Sequence, residues 1–285
     1  MIFHHIPVLF QAVINLIAGH GPQQIIDATV GGGGHAKGLL ERLPDAQLLG
    51  IDRDDTAIAA SIGWNHADAV LMDIGVSSPQ IDNSERGFSF RMDGPLDMRM
   101  NRDDTMTAAI LLNTASQEEL ETIIREYGED HKARFIAHAI VKQREKKPFE
   151  TTAELNQLLE KIVGFKGQHG LPPATRTFQA LRIAVNHELD ELSNALKSAL
   201  ELLSPHGILA VITFHSLEDR IVKRFFQYEA ATCVCPPKMP ICTCGKKQTI
   251  EILTRKPITA DEQELKSNPR AACAKLRAAM KLDIH

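Results

Sequence analysis

Short apolar runs mark the first 75 residues and predict alternating strands and helices. Leu9, Val13, Leu16 and Ile17 recur with the spacing of one helix face. Uninterrupted apolar runs that end near an acidic residue are typical of strands buried on both faces. They predict strands at 24–26, 47–51 and 68–73, with helices that begin at His35 and span 54–62. This alternation predicts a parallel α/β sheet of the Rossmann-like type.

The segment between Asp52 and Asp73 is short for such a sheet. A full sheet would place one more strand and helix there, whereas this segment supplies only a single crossover. The strand order of these sheets puts the missing strand outermost, and a sheet can lose an edge strand without breaking. We therefore predict a Rossmann-like sheet that lacks one edge strand.

The pattern changes to helices after residue 104 and later returns to strands. Helical periodicity runs from Thr105 to about Leu171, which predicts an inserted all-helical domain at 105–173. The α/β domain would then comprise residues 1–104 and 174–285. Its second part is predicted to contain a long helix at 178–203 closed by a turn at 204–207, a strand at 208–213, a helix at 221–228 and a strand at 249–254.

Four consecutive glycines, Gly31 to Gly34, follow the first predicted strand and precede a helix. This order lets a ligand approach bare backbone amides at a helix N-terminus. A phosphate-binding P-loop is excluded because Leu39 stands where lysine is required. The dinucleotide fingerprint lacks its third glycine, since Ala36 or Lys37 stands there, which disfavours a nicotinamide-dependent oxidoreductase.

An acidic residue and three small residues fit a different pattern. Asp27, Thr29, Gly31 and Gly33 give acid-x-small-x-Gly-x-Gly, which resembles the S-adenosylmethionine loop of Rossmann-like methyltransferases, with Thr29 in place of the first glycine. Asp52 follows the next strand at the distance where an acid would hold a ribose. The alternative is a glycine-rich turn without a ligand.

Net charge excludes a uniformly basic nucleic-acid-binding protein, because the chain carries a formal charge of −4. Two segments of the helical region are nevertheless rich in cations. They form either a solvated helix face or a footprint for a phosphate backbone. No apolar run reaches the length of a membrane span and no signal peptide is recognisable, so we expect a cytoplasmic protein. The cations are Lys132, Arg134, Lys142, Arg144, Lys146, Lys147, Lys161, Lys166, Arg176 and Arg182.

Four of the five cysteines are clustered in sequence. Cys233 and Cys235 form one Cys-x-Cys arm, and Cys242 and Cys244 form another. Four thiolates can close a tetrahedral zinc site, although zinc arms usually have two to four intervening residues. The alternative is a surface loop of free thiols, and the sequence does not decide whether these cysteines bind a metal. Cys273 is predicted to be a buried small residue.

The chain resembles the RsmH/MraW family of bacterial methyltransferases along almost its entire length. These enzymes methylate the N4 amine of a cytosine in the decoding region of 16S ribosomal RNA. The resemblance implies a Rossmann-like methyltransferase domain with a helical insertion for RNA recognition, S-adenosylmethionine as cofactor and the small ribosomal subunit as partner. A homodimer is one option that the sequence leaves open. The motifs lie at residues 5–9, 27–35, 51–54, 73–80, 85–91, 93–100, 173–182, 214–220 and 255–257.

Site residues follow from this resemblance position by position. Gly33, Gly34 and His35 would hold the methionine end of the cofactor, Asp52 the ribose, and Asp73 and Gln80 would close the site. The family has a further strand between Asp52 and Asp73, followed by a turn whose phenylalanine contacts the cofactor. This sequence has no counterpart, and so a second hypothesis is an RNA- or ribosome-binding protein with weakened or lost methyl transfer.

The proposed chemistry assigns catalytic roles to residues at two strand ends. The cytosine amine is a weak nucleophile, and an acid beside a Ser-Pro turn can accept its hydrogen bonds; Asp73 and Ser78 fit this role. His215 could accept a proton or only order its turn. Phe88 or Phe90, in an irregular loop predicted to cover the site, could stack on the base. Methylation at cytosine C5 is excluded because no cysteine nucleophile lies before Cys233.

Overall fold

The computed structural model describes residues 7–51, 64–164, 172–236, 239 and 241–283. Asp52 and the predicted helix at 54–62 lie outside these residues. The chain divides into two compact units, which are described separately. The first unit comprises Met1–Gly75 and Leu189–His285, and the second is Val76–Glu188.

The first unit contains a mixed sheet of six strands within the described residues, in the order β2-β1-β3-β4-β6-β5. Strands β2, β1, β3 and β4 are parallel to one another, and β6 is antiparallel to both β4 and β5. The predicted Rossmann-like sheet is confirmed. Among the described residues, no strand lies outside β2, where the missing edge strand was predicted. The strands are β1 (Gln24–Asp27), β2 (Gln47–Gly50), β3 (Ala67–Asp73), β4 (Leu203–Thr213), β5 (Ile250–Ile252) and β6 (Lys275–Lys281).

Alternate residues of each central strand pack on opposite faces of the sheet. On β3, Ala69 and Leu71 join a core with helices α1 (Phe10–Ala18) and α2 (Gly34–Arg42). Val70 and Met72 join the other core with α9 (Glu188–Leu202) and α10 (Ser216–Glu229). Both cores contain side chains that are fully buried, which agrees with the uninterrupted apolar runs of the sequence.

The second unit is helical, apart from an isolated bridge between Pro95 and Thr151. Its core is formed by apolar residues from Leu96 to Val185. The helices of this unit are α3 (Ser78–Asp82), α4 (Ala108–Thr114), α5 (Gln117–Glu126), α6 (Ala133–Arg144), α7 (Thr152–Val163) and α8 (Thr175–Asn186), with a 3-10 turn at Ser84–Arg86.

The boundaries of this unit are wider than the predicted 105–173. Residues 76–104 belong to it because long-range contacts hold them there. The Asn186 side chain accepts a hydrogen bond from the amide of Met100 at 2.7 Å and donates one to the carbonyl of Met98 at 2.8 Å. Thr152 donates a hydrogen bond to the carbonyl of Met92 at 3.0 Å. These contacts join distant parts of the chain, so local patterning did not reveal them.

The predicted long helix at 178–203 is wrong. Helix α8 ends at Asn186, and His187 adopts a left-handed conformation with φ of 51° before α9 begins. The predicted turn at 204–207 is part of β4, which has an irregular register there and a left-handed residue at His206. Helix α10 begins at Ser216, earlier than predicted. Strand β6, a helix α11 (Glu262–Ser267) and a 3-10 turn at Pro269–Cys273 were not predicted.

Within the described residues, none of the helices has the length and apolar character needed to cross a bilayer.

Candidate active site at the carboxyl edge of the sheet

Two acidic residues end adjacent parallel strands of the first unit. Asp27 is the last residue of β1 and Asp73 the last of β3, and these strands pair directly. Because the strands are parallel, both carboxylates lie at the same edge of the sheet. Ligands of open α/β sheets bind at this edge.

Thr29 connects these two strand ends. Its hydroxyl accepts a hydrogen bond from the amide of Asp73 at 2.6 Å and lies 3.4 Å from the Oδ1 of Asp27, to which it can donate. The Asp27 carboxylate also accepts the amide of Thr29 at 3.1 Å. The residue that departs from the glycine pattern therefore fixes the spacing between β1 and β3, a role that a glycine could not perform.

The glycine loop leaves open space at the start of α2. Gly31 and Gly33 have φ of 45° and 72°, a region that other residues rarely adopt. A Cβ placed on Gly32 or Gly33 would have no heavy atom within 4 Å. Gly33 is the N-cap of α2 and offers no side-chain cap, so no side chain satisfies the first amides of this helix from the cap position. Open space beside helix amides is a suitable site for an electronegative ligand group.

Gly34 is required for a different reason. A Cβ at this position would lie 2.3 Å from the Cγ of Pro7, so only glycine allows the N-terminal segment to pack against the start of the helix. Its predicted role in holding a cofactor is thus limited to its backbone.

The His35 ring faces the interior and is 5% exposed. Its Nε2 lies 2.9 Å from the carbonyl of Val8, which requires Nε2 to carry the proton. The Nδ1 atom lies 3.6 Å from Oδ2 of Asp73. The ring therefore lies beside the Asp73 carboxylate, and the two groups can form a hydrogen bond only when Nδ1 or Asp73 carries a proton. Only the backbone of His35 belongs to the glycine loop.

Asp73 has the electrostatic signature of a functional group. Burial, followed by the negative charges of Asp27 and Glu218, raises the pKa of Asp73 from 3.8 to about 7. Its Oδ1 atom is buried and has no hydrogen-bond partner among the described residues. A buried, unsatisfied carboxylate oxygen is costly, and such groups cluster at functional sites.

His215 and Glu218 form the cap of the next helix. The Nδ1 atom of His215 accepts a hydrogen bond from the amide of Glu218 at 3.4 Å. The Glu218 carboxylate, which is fully buried, accepts the amides of Phe214 at 2.7 Å and His215 at 3.2 Å. These contacts agree with the interpretation that His215 orders its turn, and its catalytic role stays a prediction.

Comparisons with known proteins assign this chain to a family. The model of the MraW methylase family matches residues 2–64 and 60–282. The chain belongs to the MraW methylase family. It is 46% identical to the ribosomal RNA small subunit methyltransferase H of Heliobacterium modesticaldum, covering 99% of this chain and 100% of that protein. It is 47% identical to the protein of the same name from Symbiobacterium thermophilum, covering 99% and 98%.

The MraW match also locates a difference from the relatives. The alignment with the Heliobacterium modesticaldum protein runs over 312 positions, more than the 285 residues of this chain, so the relative has residues that this chain lacks. The family match is split in two at residues 60–64, inside the segment between Asp52 and Asp73 that the sequence analysis identified as short.

Three further predicted site residues of this MraW chain lie outside the described part of the first unit. Asp52 lies outside the described residues. Ser78 begins α3, and Gln80 lies in the same helix, so both belong to the second unit. There the side-chain oxygen of Gln80 accepts the amide of Ser77 at 2.9 Å. Roles for Ser78 and Gln80 at the active site stay predictions.

The two aromatic residues proposed to stack on a base have partners within the second unit. The Phe90 ring packs edge-on against Phe178, with ring centroids 5.4 Å apart. The Arg86 guanidinium lies 5.6 Å from the centroid of the Phe88 ring. Phe90 is therefore committed to the helical core, which leaves Phe88 as the better candidate for stacking.

Half of the ten cations proposed as a phosphate footprint make contacts within the helical unit. Arg144 donates to the carbonyls of Leu112 and Ala115, each at 2.7 Å, and so caps α4. Lys132 approaches the last carbonyls of α7, and Arg182 pairs with Glu188 through two hydrogen bonds of 2.7 Å. Arg176 and Lys147 also have partners, the Glu129 carbonyl and Glu154.

The cations that remain available for a phosphate backbone are fewer, and most of the exposed ones lie on or near α6. Arg134 and Lys142 are exposed, and the spacing of four residues places them with His138 along one face of this helix. Lys146 and Lys161 are also exposed. None of these four cations has an ion pair with a described residue. Lys166 lies outside the described part of the chain.

Several residues that shape the site were missed at the sequence level. Thr29 was recognised only as a substitute for glycine, and the role of Glu218 was not recognised. The spacing His215-x-x-Glu218 is that of a capping box, which could have predicted the start of α10. Asp219, which pairs with Arg277 at 2.6 Å, has no local sequence signal.

Proposed function

We propose that this chain transfers a methyl group from S-adenosylmethionine to the exocyclic N4 amine of a cytosine in the decoding region of 16S ribosomal RNA. One observation carries the proposal: an open glycine loop and a carboxylate with a buried oxygen that has no described partner lie at the ends of two paired parallel strands. The methyltransferases named above, to which this chain is similar over almost its full length, support the reaction class.

The residues at this edge fit a cofactor with a cationic sulfur and a carboxylate. The amides at the start of α2 favour a carboxylate, and the space over Gly32 and Gly33 would be filled by a ligand instead of a Cβ. Gly34 and His35 would contribute these amides. The amide of Gly33 donates to the carbonyl of Val30 at 2.6 Å, so Gly33 would contribute open space for the ligand. Asp73 would contribute a nearby negative charge. Asp52, Ser78 and Gln80 remain candidates for the ribose and for closing the site.

The bound cofactor would supply an electrophilic methyl group on a sulfonium. The protein must then position a weakly nucleophilic amine and accept its hydrogen bonds. The Oδ1 of Asp73 is an acceptor with no other described partner, and Oδ2 lies beside the His35 ring. With a pKa of about 7, Asp73 can also receive the proton that the amine loses on methylation.

The RNA would be held in part by the exposed face of α6. A small set of exposed cations provides an electrostatic contribution that depends on salt concentration. Arg134 and Lys142 are better candidates than the cations already used as helix caps, because contacts to phosphate do not compete with contacts within the protein. This substrate would place the protein in the cytoplasm, with the small ribosomal subunit as its partner.

A second candidate function is RNA binding without methyl transfer. The split of the family match at residues 60–64 favours it. The resemblance implies a cofactor contact in the segment between Asp52 and Asp73, which is short in this chain. In this case the chain would bind the small ribosomal subunit, but S-adenosylmethionine would not bind detectably.

A methyl transfer assay separates the two candidates. Small ribosomal subunits that lack methylation at this cytosine would be incubated with the protein and radiolabelled S-adenosylmethionine. Nucleosides from the digested RNA would be identified by mass spectrometry. We expect N4-methylcytidine, whereas 5-methylcytidine would contradict the mechanism. An unlabelled RNA, with subunits still bound by the protein, would favour the second function.

The RNA-binding face can be tested in the same assay. Arg134→Glu with Lys142→Glu should lower transfer to subunits about tenfold or more and reduce its dependence on salt concentration. The matched control also reverses two charges, Lys197→Glu with Lys266→Glu, at exposed lysines of α9 and α11 in the first unit. Equal effects of the two charge reversals would remove α6 from the RNA interface.

A further inference from the structure

Four cysteine sulfurs converge on one point in the connection between α10 and β5. All four Sγ atoms lie within 4.8 Å of one another. Cys242 Sγ is 3.5 Å from both Cys233 Sγ and Cys244 Sγ, and 3.8 Å from Cys235 Sγ. Cys244 Sγ is 3.8 Å from Cys233 Sγ. Residues that are up to eleven positions apart therefore place their thiols on a common centre.

These separations match a tetrahedron around a single ion. Four sulfurs about 2.3 Å from a Zn²⁺ ion would be about 3.8 Å from one another. The separations are too long for disulfides, in which sulfurs lie about 2.05 Å apart. They are too short for the cysteines of an iron–sulfur cluster, which are held apart by the inorganic core. A sulfur-only tetrahedral set of this size is typical of zinc.

The connection that carries the cysteines has no hydrophobic core of its own. No described residue between Ala230 and Thr249 is buried, and Val234 and Ile241 are 45% and 74% exposed. Long connections without secondary structure have a high entropic cost to order. Burial of side chains does not offset this cost here, so a different interaction must hold the two cysteine arms together.

Both ends of the connection are tied to the same residue. The carbonyl of Glu229 accepts the amide of Thr249 at 2.9 Å, and the Glu229 carboxylate pairs with Lys246 at 3.0 Å. These two contacts of Glu229 bring the cysteine arms near each other but do not involve the four sulfurs. They therefore pre-organise the loop for a ligand that the thiols themselves would bind.

The backbone around the sulfurs has the geometry of a metal-binding turn. The amide of Cys235 points to Cys233 Sγ at 3.4 Å, and the amide of Val234 points to Cys244 Sγ at 3.5 Å. Amide hydrogen bonds to sulfur stabilise thiolates in metal sites. Gly245 follows the last cysteine with φ of 61°, which lets the chain turn away directly after the ligand.

We propose that Cys233, Cys235, Cys242 and Cys244 bind one structural Zn²⁺ ion that orders the connection between α10 and β5. The site is complete within this chain and has no open position, so its role is structural. It shares no residue with the glycine loop or Asp73, and it does not depend on the function proposed for them. The predicted alternative of a loop of free thiols is the outcome against which it is tested.

Metal content of the purified protein gives the first test. Elemental analysis should find about one zinc per chain in the wild-type protein. Cys242→Ser should lose it, because its sulfur is close to the other three. The matched control is Cys273→Ser; this cysteine is exposed, contrary to the prediction that it is buried, and lies outside the cluster. Zinc below about a tenth of an equivalent in the wild type would overturn the proposal, as would one equivalent of iron in its place.

Cobalt substitution keeps the test valid if the serine variant folds poorly. The wild-type protein would be stripped of metal under reducing conditions and titrated with Co²⁺. Tetrahedral thiolate ligation should give strong visible absorption that saturates at about one equivalent and is abolished by Zn²⁺. Absence of this absorption in the titrated wild-type protein would contradict the proposal. Equal absorption in Cys273→Ser and wild type would exclude that fifth cysteine as a ligand.

Discussion

Two aspartates near opposite ends of β3 have opposite environments. Asp68 accepts hydrogen bonds from the amides of Gln23 and Gln24, each at 3.0 Å, and from the hydroxyl of Ser204 at 3.1 Å. Although burial opposes ionisation, these hydrogen bonds lower the pKa of Asp68. Asp73 has an orphaned Oδ1 atom and a pKa raised to about 7.

This contrast separates a structural carboxylate from a functional one. Asp68 is satisfied by its neighbours and stabilises the fold, because it joins the starts of β1 and β3 to β4. Asp73 has an acceptor with no described partner, so contacts among the described residues do not offset the cost of burying this oxygen. Strand position alone does not distinguish the two residues, since both are acids at the end of an apolar run.

Loss of Asp73 should have the largest effect on activity. Asp73→Asn should lower methyl transfer about 100- to 1,000-fold, the range for removal of one preorganised polar group from an active site. Circular dichroism should show an unchanged fold. Asp68→Asn is the matched control and should keep transfer within about threefold of wild type. Near-normal turnover in Asp73→Asn would show that this residue is not catalytic, and Asp73 and Asp68 would then not differ in function.

The same variant should gain stability at high pH. The pKa of Asp73 is higher in the folded state than its usual 3.8, so the folded protein holds the proton more tightly. Stability is therefore lost as pH rises from about 4 to about 7 and is constant above that range. Asp73→Asn lacks this loss and should be more stable than wild type at pH 8, by at most ~4 kcal/mol at about 1.4 kcal/mol per pKa unit. Thermal melts of both proteins at pH 5 and pH 8 measure this difference in stability. A larger gain at pH 5 than at pH 8 would contradict the predicted pH dependence.

Removal of the other carboxylate should act in the opposite direction. Asp68→Ala leaves two amides and a hydroxyl without their acceptor and should destabilise the protein by about 1–3 kcal/mol in urea unfolding at pH 7. Because the pKa of Asp68 is lowered in the folded state, its ionic contribution is present above about pH 4 and is lost below. An unchanged unfolding free energy would show that the Asp68 contacts do not stabilise the fold.

Two glycines with similar backbone conformations allow the cofactor role of the glycine loop to be tested separately from its effect on stability. Gly33 and Gly21 have φ of 72° and 60°, and a Cβ on either meets no heavy atom within 4 Å. Alanine at either position should therefore cost a similar free energy, about 1 kcal/mol. Only Gly33→Ala places a methyl group over the loop, so it alone should weaken S-adenosylmethionine binding, by about tenfold. Equal binding by both variants would place the cofactor elsewhere.

The strand–glycine–helix motif and the acid after β3 could be predicted from local sequence because each depends on a few adjacent residues. The bridge through Thr29 could not, since it joins residues 44 positions apart. The break at His187 was missed because the helical pattern continues across it. Strand β6 was missed because its sequence is basic, yet Arg277 is only 7% exposed and is neutralised by Asp219 from a distant helix. The helical unit extends beyond the predicted 105–173 for the same reason, because contacts of Asn186 and Thr152 hold residues 92–100 in it.

Calorimetric titration of the wild-type protein with S-adenosylmethionine tests the central claim most directly, because the shortened segment between Asp52 and Asp73 is the main argument against it. We predict saturable binding of about one molecule per chain that is weakened in Gly33→Ala and unaffected in Gly21→Ala. A folded wild-type protein that gives no binding signal would contradict the proposal that the glycine loop and Asp73 form a cofactor site.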